Sequence, residues 1–167
     1  TRRALQLAES AARTYPDMAY IHAGDACRVA GMSREAIAYY EKVLTVPATG
    51  KTKERVERYH QRARANIDGI RIFDMLDVRR VPDGTYQGVS PSYAGDLRVR
   101  VVIQGGRIVS VEVTDHKDKQ FYSALTDTPR QIVEKQGIKG VDAVTGATIT
   151  SEAIINAVAR ALASGVR

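Results

Sequence analysis

The chain has little of several features that would narrow its function. Its 167 residues include one cysteine, no tryptophan and two phenylalanines. The single cysteine, Cys27, excludes an intramolecular disulfide and a cysteine-based metal cluster. No apolar run is long enough to span a bilayer, and no signal-peptide pattern opens the chain. Because the chain does not begin with Met, we expect it to be part of a longer polypeptide that holds any export signal or anchor.

The motifs of several common activities are also missing. The sequence has no Gly-x-Gly-x-x-Gly nicotinamide fingerprint, no nucleophile elbow, and no zinc or helix-turn-helix motif. His22 and His60 fall on predicted helices, and His116 has no cysteine or well-placed serine to activate. We therefore expect neither a nicotinamide dehydrogenase nor a hydrolase, and we predict no metal site.

The basic excess of the chain lies in its first half. Through Arg80 there are fifteen Lys and Arg against ten Asp and Glu, and the remainder has ten against nine, which gives the net charge of +6. Six basic residues lie in one predicted helix or directly before it: Lys51, Lys53, Arg55, Arg58, Arg62 and Arg64. Because Glu54 and Glu57 share that helix and no aromatic residues are interleaved in a groove-like pattern, we expect no nucleic-acid binding. An acidic redox partner or an anionic membrane surface is the favoured use of this charge.

Helical periodicity and an internal repeat of about 34 residues characterise the first half. If Asp17 is the first position of a unit, Gly24 is the eighth, Ala36 the twentieth and Tyr40 the twenty-fourth, with Pro47 one residue before the expected proline; Ala4, Ala8, Ala11 and Pro16 fit a preceding unit. Small residues allow two antiparallel helices to approach, and proline ends a helix. A third helix is predicted from about Thr52 to Leu76. This half resembles the end of a tetratricopeptide array, with a generic helical hairpin as the alternative.

The pattern changes near Pro82, from a three-to-four-residue to a two-residue period. The charged segment Arg79–Gly84, interrupted by proline and glycine, is predicted as the boundary between domains 1–80 and 81–167. Two alternating runs, Leu97–Ile103 and Ile108–Val113, are joined by Gly105-Gly106 and predict a β-hairpin. The predicted fold class is α+β, with all-α tetratricopeptide-like helices followed by a small antiparallel-sheet domain.

A short segment, Asp142-Ala143-Val144-Thr145-Gly146-Ala147-Thr148, comes directly before a predicted helix. A Gly-Ala pair allows close approach of backbone to a ligand, and a helix start offers free N–H groups and a positive dipole end to a phosphate. The same residue types are also common in turns and N-caps, so Thr150 or Ser151 could cap the helix with no ligand present.

The pattern Asp-x-x-Thr-Gly-Ala-Thr resembles the flavinylation signature of the FMN-binding domain family. The order of the surrounding features is similar too: an Asp83-Gly84-x-Tyr86 opening, a Tyr/Gly segment, the hairpin, His116, a proline-led amphipathic helix with Pro129, Ile132 and Gln136, and then the signature. The resemblance covers about Asp83 to Ala163. One departure is the stretch Lys117–Tyr122, where many members have a Glu-Thr-Pro-Gly-like loop.

This resemblance implies that FMN is attached to Thr148 through a phosphoester bond. The non-covalent flavin environment is then expected from Tyr93, Gly95, His116, Val144, Thr145, Gly146 and Ala147. Asp142 is expected to shape the loop or to be read by a separate FAD- and Mg-dependent flavin transferase, which acts outside the cytoplasm.

The same resemblance implies an electron-transfer module that works outside the cytoplasm, close to a membrane or within a larger anchored polypeptide, rather than a stand-alone enzyme. Its electrons would come from a redox partner protein or a membrane oxidoreductase, and the helical half would serve as a docking scaffold. Reversible FMN binding and a helical interaction scaffold without flavin are the alternatives.

Overall fold

The computed structural model describes residues 2–119, 122–137, 140–141, 144 and 146–166. Internal contacts divide the chain into two compact units, Thr1–Ile67 and Asp68–Arg167. This division falls within the fourth helix, earlier than the domain boundary predicted at Arg80, which stays a prediction.

The first unit is built from helices: α1 (Arg2–Ala11), α2 (Pro16–Val29), α3 (Ser33–Leu44) and the first part of α4 (Lys53–Met75). Pro16 is the first residue of α2, where its missing N–H removes no intrahelical hydrogen bond. Helix α3 ends three residues before Pro47, and α4 lies within one residue of the predicted Thr52–Leu76 at each end. The sequence therefore predicted these helices well.

Helices α2 and α3 approach closely at Gly24. A Cβ atom at this position would lie 2.4 Å from the ring of Tyr40, and that ring is fully buried. These residues occupy the eighth and twenty-fourth positions of the predicted repeat, so the need for glycine there has a direct structural cause. The helices are consistent with a tetratricopeptide-like array.

Three polar pairs join α2 to α4 within the first unit: Arg55 with Asp17 (2.8 Å), Arg62 with Asp25 (2.6 Å) and Arg28 with Asn66 (3.1 Å). Their sequence separations of 38, 37 and 38 show that the two helices run parallel. Parallel packing is the arrangement expected of equivalent helices in stacked repeats. Arg55 and Arg62 are thereby turned toward α2, so the predicted basic surface of α4 is not continuous.

The thiol of Cys27 provides a simple test of the first unit. Cys27 is completely buried, and burial together with the nearby Glu35 carboxylate raises the pKa of its thiol. We expect Cys27 to resist iodoacetamide at mildly alkaline pH in the native chain and to react once guanidinium unfolds it, because alkylation needs an accessible thiolate. Intact-mass spectrometry with and without denaturant measures both rates. Equal rates in the two conditions would contradict this packing.

The second unit combines a three-stranded antiparallel sheet with helices. The strands β1 (Gly84–Pro91), β2 (Asp96–Gln104) and β3 (Arg107–Asp115) lie in that order, followed by α5 (Tyr122–Lys135) and α6 (Thr148–Gly165). Gly105 and Gly106 have φ of +59° and +68°, as a two-residue hairpin turn requires. The α+β fold class and the predicted hairpin are confirmed. Strand β1 is not among the predicted strands.

Helix α6 covers the sheet and is buried along most of its length. It packs on β1 and β2, whose inward residues Leu97, Val99, Val101 and Ile103 form the centre of the core. Gly88 approaches Ala157, and Gly165 approaches Tyr86. Since the later residue of α6 meets the earlier residue of β1, the helix runs antiparallel to that strand. No helix in the described part of the chain has the length and apolarity that a bilayer crossing needs.

The expectation that Pro129 leads its helix is wrong. Helix α5 begins at Tyr122, and Pro129 lies inside it. The first half of α5 is held by packing, because Ala124 and Thr128 are completely buried, and this offsets the one hydrogen bond that proline cannot make. Gln136 follows the helix with φ of +53°. Its side-chain amide pairs with the backbone N–H and C=O of Ile108 at 3.0 and 2.9 Å, which fixes the end of α5 to β3.

Candidate functional site

One end of the sheet brings together most of the residues predicted for the flavin site. The loop Ser92–Gly95 joins β1 to β2 at this end, since Pro91 pairs with Asp96. Strand β3 ends beside it, with Asp115 opposite Arg98, and His116 follows directly. The antiparallel path of α6 along β1 brings the start of α6 to the same end. Tyr93, Gly95, His116 and Thr148 therefore lie on neighbouring segments, and their roles toward a flavin stay predictions.

Thr148 is the first residue of α6, and Ala147 is the N-cap. The Ala147 carbonyl accepts the first intrahelical hydrogen bond, from the Ser151 N–H at 2.9 Å. Alanine has no side-chain acceptor, so no described side chain caps this helix start. The N–H groups of Thr148, Ile149 and Thr150 have no acceptor within the helix. The half-buried Thr148 hydroxyl thus lies where an anion is stabilised by free N–H groups and by the helix dipole.

The alternative that Thr150 or Ser151 caps the helix is wrong, because both residues lie inside α6. Thr150 and Ser151 are 3% and 0% exposed. The Thr150 hydroxyl donates to the Asp118 carboxylate at 2.7 Å. The Ser151 oxygen accepts hydrogen bonds from the Val144 N–H at 3.1 Å and the Thr128 hydroxyl at 3.2 Å. These two hydroxyls fix the first turn of α6 to its surroundings rather than capping it.

The described residues of the Asp-x-x-Thr-Gly-Ala-Thr segment include a turn that leads directly into α6. Gly146 has φ of +80°, a conformation that favours glycine. The N–H of the buried Ala147 donates to the Val144 carbonyl at 2.8 Å, which closes the turn. The chain therefore reaches Thr148 through a turn that depends on Gly146. Asp142 and Thr145 lie outside the described residues.

Tyr93 and Gly95 belong to the β1–β2 loop. The Tyr93 ring is 75% exposed, although it is large and largely apolar. Gly95 has φ of +147°, and a Cβ there would lie 3.2 Å from the Lys117 side chain. His116 is half-buried, with Nδ1 3.1 Å from the Asp118 carbonyl oxygen. An exposed aromatic ring and an imidazole therefore flank this end of the sheet.

Sequence reasoning missed Asp118, whose side chain accepts three hydrogen bonds at this end. Its carboxylate is buried, with 5% exposure for the residue. It accepts hydrogen bonds from the Ser92 hydroxyl at 2.5 Å, the Ala94 N–H at 2.9 Å and the Thr150 hydroxyl at 2.7 Å. Asp118 lies in the stretch that departs from the family loop, and an acidic residue two positions after His116 was its only sequence signal. We call this set of four residues the Asp118 clamp.

The donor set at this end fits the phosphate and ring of FMN. It offers the start of α6, which no described side chain caps, a glycine turn and an exposed aromatic ring, and the exposed Lys117 and Lys119 add positive charge nearby. Among the described residues, no group of three or more His, Cys, Asp and Glu side chains could hold a metal ion. The chemistry available is anion and aromatic-ring binding.

A second concave surface lies between β3 and α5. Its volume is about 490 Å³, and it is lined by apolar residues, including Val111, Val113, Leu125, Pro129 and Val133, and by the charged residues Glu112, Arg130 and Glu134. None of the residues predicted for the flavin site lines it.

Comparison with known proteins supports the assignment of the second half. Residues 92–163 match the family model of the FMN-binding domain, which confirms the resemblance for that part of the chain. An uncharacterized protein of Treponema pallidum (strain Nichols) is 42% identical over 82 residues. That alignment covers 48% of this chain and 22% of the relative, so the chain spans less than a quarter of the relative's length.

Proposed function

We propose that residues 92–163, which are an FMN-binding domain, carry FMN bound covalently through its phosphate to Thr148. One observation carries the proposal: Thr148 presents a hydroxyl at the first position of α6, whose N-cap Ala147 supplies no side-chain acceptor. A phosphate on that hydroxyl would meet N–H groups that have no acceptor within the helix. Attachment at this residue therefore leaves the anion in a favourable place.

We propose that FAD donates the FMN group in this reaction. The Thr148 Oγ forms a bond to the phosphorus of the FMN part, the pyrophosphate P–O bond breaks, and AMP leaves. The hydroxyl proton passes to a base. We assign the Mg ion and the base to a separate flavin transferase, as the resemblance to the FMN-binding domain family implies.

The bound FMN would supply one- or two-electron exchange, while the chain supplies position and electrostatics. We assign the domain to electron transfer between a redox partner protein or membrane oxidoreductase and an acceptor. We also propose that the domain acts outside the cytoplasm and close to a membrane. The helical unit is proposed as the docking scaffold, because arrays of this kind present extended surfaces to partners.

The proposal is tested by producing the chain with and without an active flavin transferase in an extracytoplasmic compartment. Intact-mass spectrometry under denaturing conditions should show one FMN adduct only when the transferase is present. A yellow protein that loses its flavin on denaturation would favour reversible binding. A chain that stays without flavin beside a transferase that modifies a known substrate would favour the scaffold alternative.

Attachment should also stabilise the second unit. A phosphate at the start of α6 satisfies free N–H groups and opposes the helix dipole, which is worth about 1 kcal/mol at low ionic strength. We expect the thermal midpoint of this 100-residue unit to rise by about 4–8 °C, with a smaller rise at high salt. Calorimetry on the two preparations measures the difference.

Ala147→Ser provides the matched variant for this effect. A serine hydroxyl at the N-cap can accept from the N–H groups of the first turn and should reduce the gain from attachment, since both use the same N–H groups. Equal midpoints with and without FMN in the unsubstituted chain would contradict the predicted role of the helix start.

A further inference from the structure

The Asp118 clamp joins two segments that are distant in sequence. Ser92 and Ala94 lie on either side of Tyr93 in the β1–β2 loop, and both donate to the carboxylate. Thr150, two residues after Thr148, donates to one of the same oxygens. The residues on both sides of Tyr93, Ser92 through its hydroxyl and Ala94 through its N–H, are thus connected to the first turn of α6 through one side chain.

The centre of the clamp is buried, whereas the Tyr93 side chain between its two loop contacts is not. Asp118 and Thr150 are 5% and 3% exposed, whereas Tyr93 is 75% exposed. A charged carboxylate that accepts three hydrogen bonds in a buried setting holds its partners firmly, because each lost bond would leave the charge poorly solvated. The loop backbone is therefore fixed although the Tyr93 side chain is open to solvent.

We propose that Asp118 is a positioning residue for the flavin: it holds the β1–β2 loop so that the Tyr93 ring is presented to the isoalloxazine carried on Thr148. This inference rests on the proposed function. Asp118 would not contact the flavin itself and would act by holding the Ser92–Gly95 loop. Aromatic rings in contact with a flavin quench its fluorescence by donating an electron, so presentation of Tyr93 has an optical signature that fold stability alone does not produce.

The experiment uses the full chain modified by the transferase. Its readouts are the intact mass, the fluorescence yield of the attached flavin and the quenching of that fluorescence by iodide. We expect Tyr93→Leu to raise the yield several-fold. Asp118→Asn should also raise the yield and increase access of iodide, while the adduct stays on Thr148. The double variant should have the same fluorescence yield as Tyr93→Leu alone, because both changes remove the contact between the Tyr93 ring and the isoalloxazine.

Two further variants separate positioning from a purely structural role. Thr150→Val removes one link of the clamp and leaves the Ser92 and Ala94 contacts, so it should raise the yield less than Asp118→Asn. Thr150→Val also tests the positioning role if Asp118→Asn does not fold. Thr128→Val removes the other buried hydroxyl contact of this helix turn, to Ser151. It should lower the thermal midpoint and leave the yield unchanged.

The outcomes distinguish this inference from the proposed function. If the unsubstituted chain carries no adduct, the proposed function fails and the inference fails with it. If the adduct is present but Asp118→Asn and Thr150→Val both keep the original fluorescence, attachment stands and the positioning role is wrong. The positioning role would also be wrong if the effects of Asp118→Asn and Tyr93→Leu on the fluorescence yield were additive in the double variant.

Discussion

Thr148→Ala should yield a chain with no covalent FMN, even when an active transferase is present. The substitution removes the only oxygen at the first position of α6 that can form the phosphoester. The loss should be complete in an intact-mass spectrum of denatured protein. The fold should persist, because loss of one half-buried hydroxyl at a helix start costs about 1 kcal/mol or less.

Thr148→Ser is the matched control for that prediction. Serine keeps the hydroxyl and removes only a methyl group, so the adduct should form and peptide mapping should place it at position 148. Thr145→Ser should be tolerated as well, since it also keeps its hydroxyl. An adduct on another residue of the unsubstituted chain, or on the Thr148→Ala variant, would show that the acceptor is wrongly assigned.

Much of the fold follows from local pattern. The boundaries of α4 follow from apolar residues at three- and four-residue steps, and the β2–β3 hairpin follows from alternation around Gly105-Gly106. The close contact of Gly24 with Tyr40 agrees with positions that the repeat frame marks as small and large. In each of these cases the residues that determine the structure are neighbours in sequence or recur at a fixed period.

Other features depend on tertiary contacts and were missed or misassigned. Gly88 interrupts the pattern of side chains in strand β1, because that position has to admit α6. The start of α5 was placed at Pro129, although packing of Ala124 and Thr128 extends the helix to Tyr122. Such contacts carry no local periodicity that a sequence pattern can reveal.

The candidate site divides in the same way. Thr148, Gly146 and Ala147 could be named as candidates because they are contiguous and lead into a helix, whereas Asp118 contacts residues 26 and 32 positions away. A buried carboxylate is stabilised by its partners in space, so its importance appears only once the end of β3, the β1–β2 loop and α6 lie together. His116 could be named from its place after the hairpin, but its contact with the Asp118 carbonyl could not.

The largest effect on stability is expected from Gly88→Ala. A Cβ atom at Gly88 would lie 1.9 Å from the Ala157 carbonyl oxygen and 2.8 Å from the Ala161 nitrogen. Both atoms belong to the backbone of α6, so no side-chain rotation can relieve the overlap. The helix must move away from β1, which opens the core around Leu97 and Val99. We expect a loss of at least about 3 kcal/mol in the free energy of unfolding of the second unit.

Gly84→Ala is the matched control, because it makes the same substitution in the same strand. A Cβ atom there would come within 3.3 Å of the Tyr86 hydroxyl oxygen, the far end of a side chain that can shift. Its effect should stay within about 0.5 kcal/mol. Urea unfolding followed by hydrogen exchange in peptides of the second unit would compare the two variants. If Gly88→Ala unfolded at the same urea concentration as Gly84→Ala, α6 could not pack on β1 at this distance, and Thr148 would not be held at the end of the sheet.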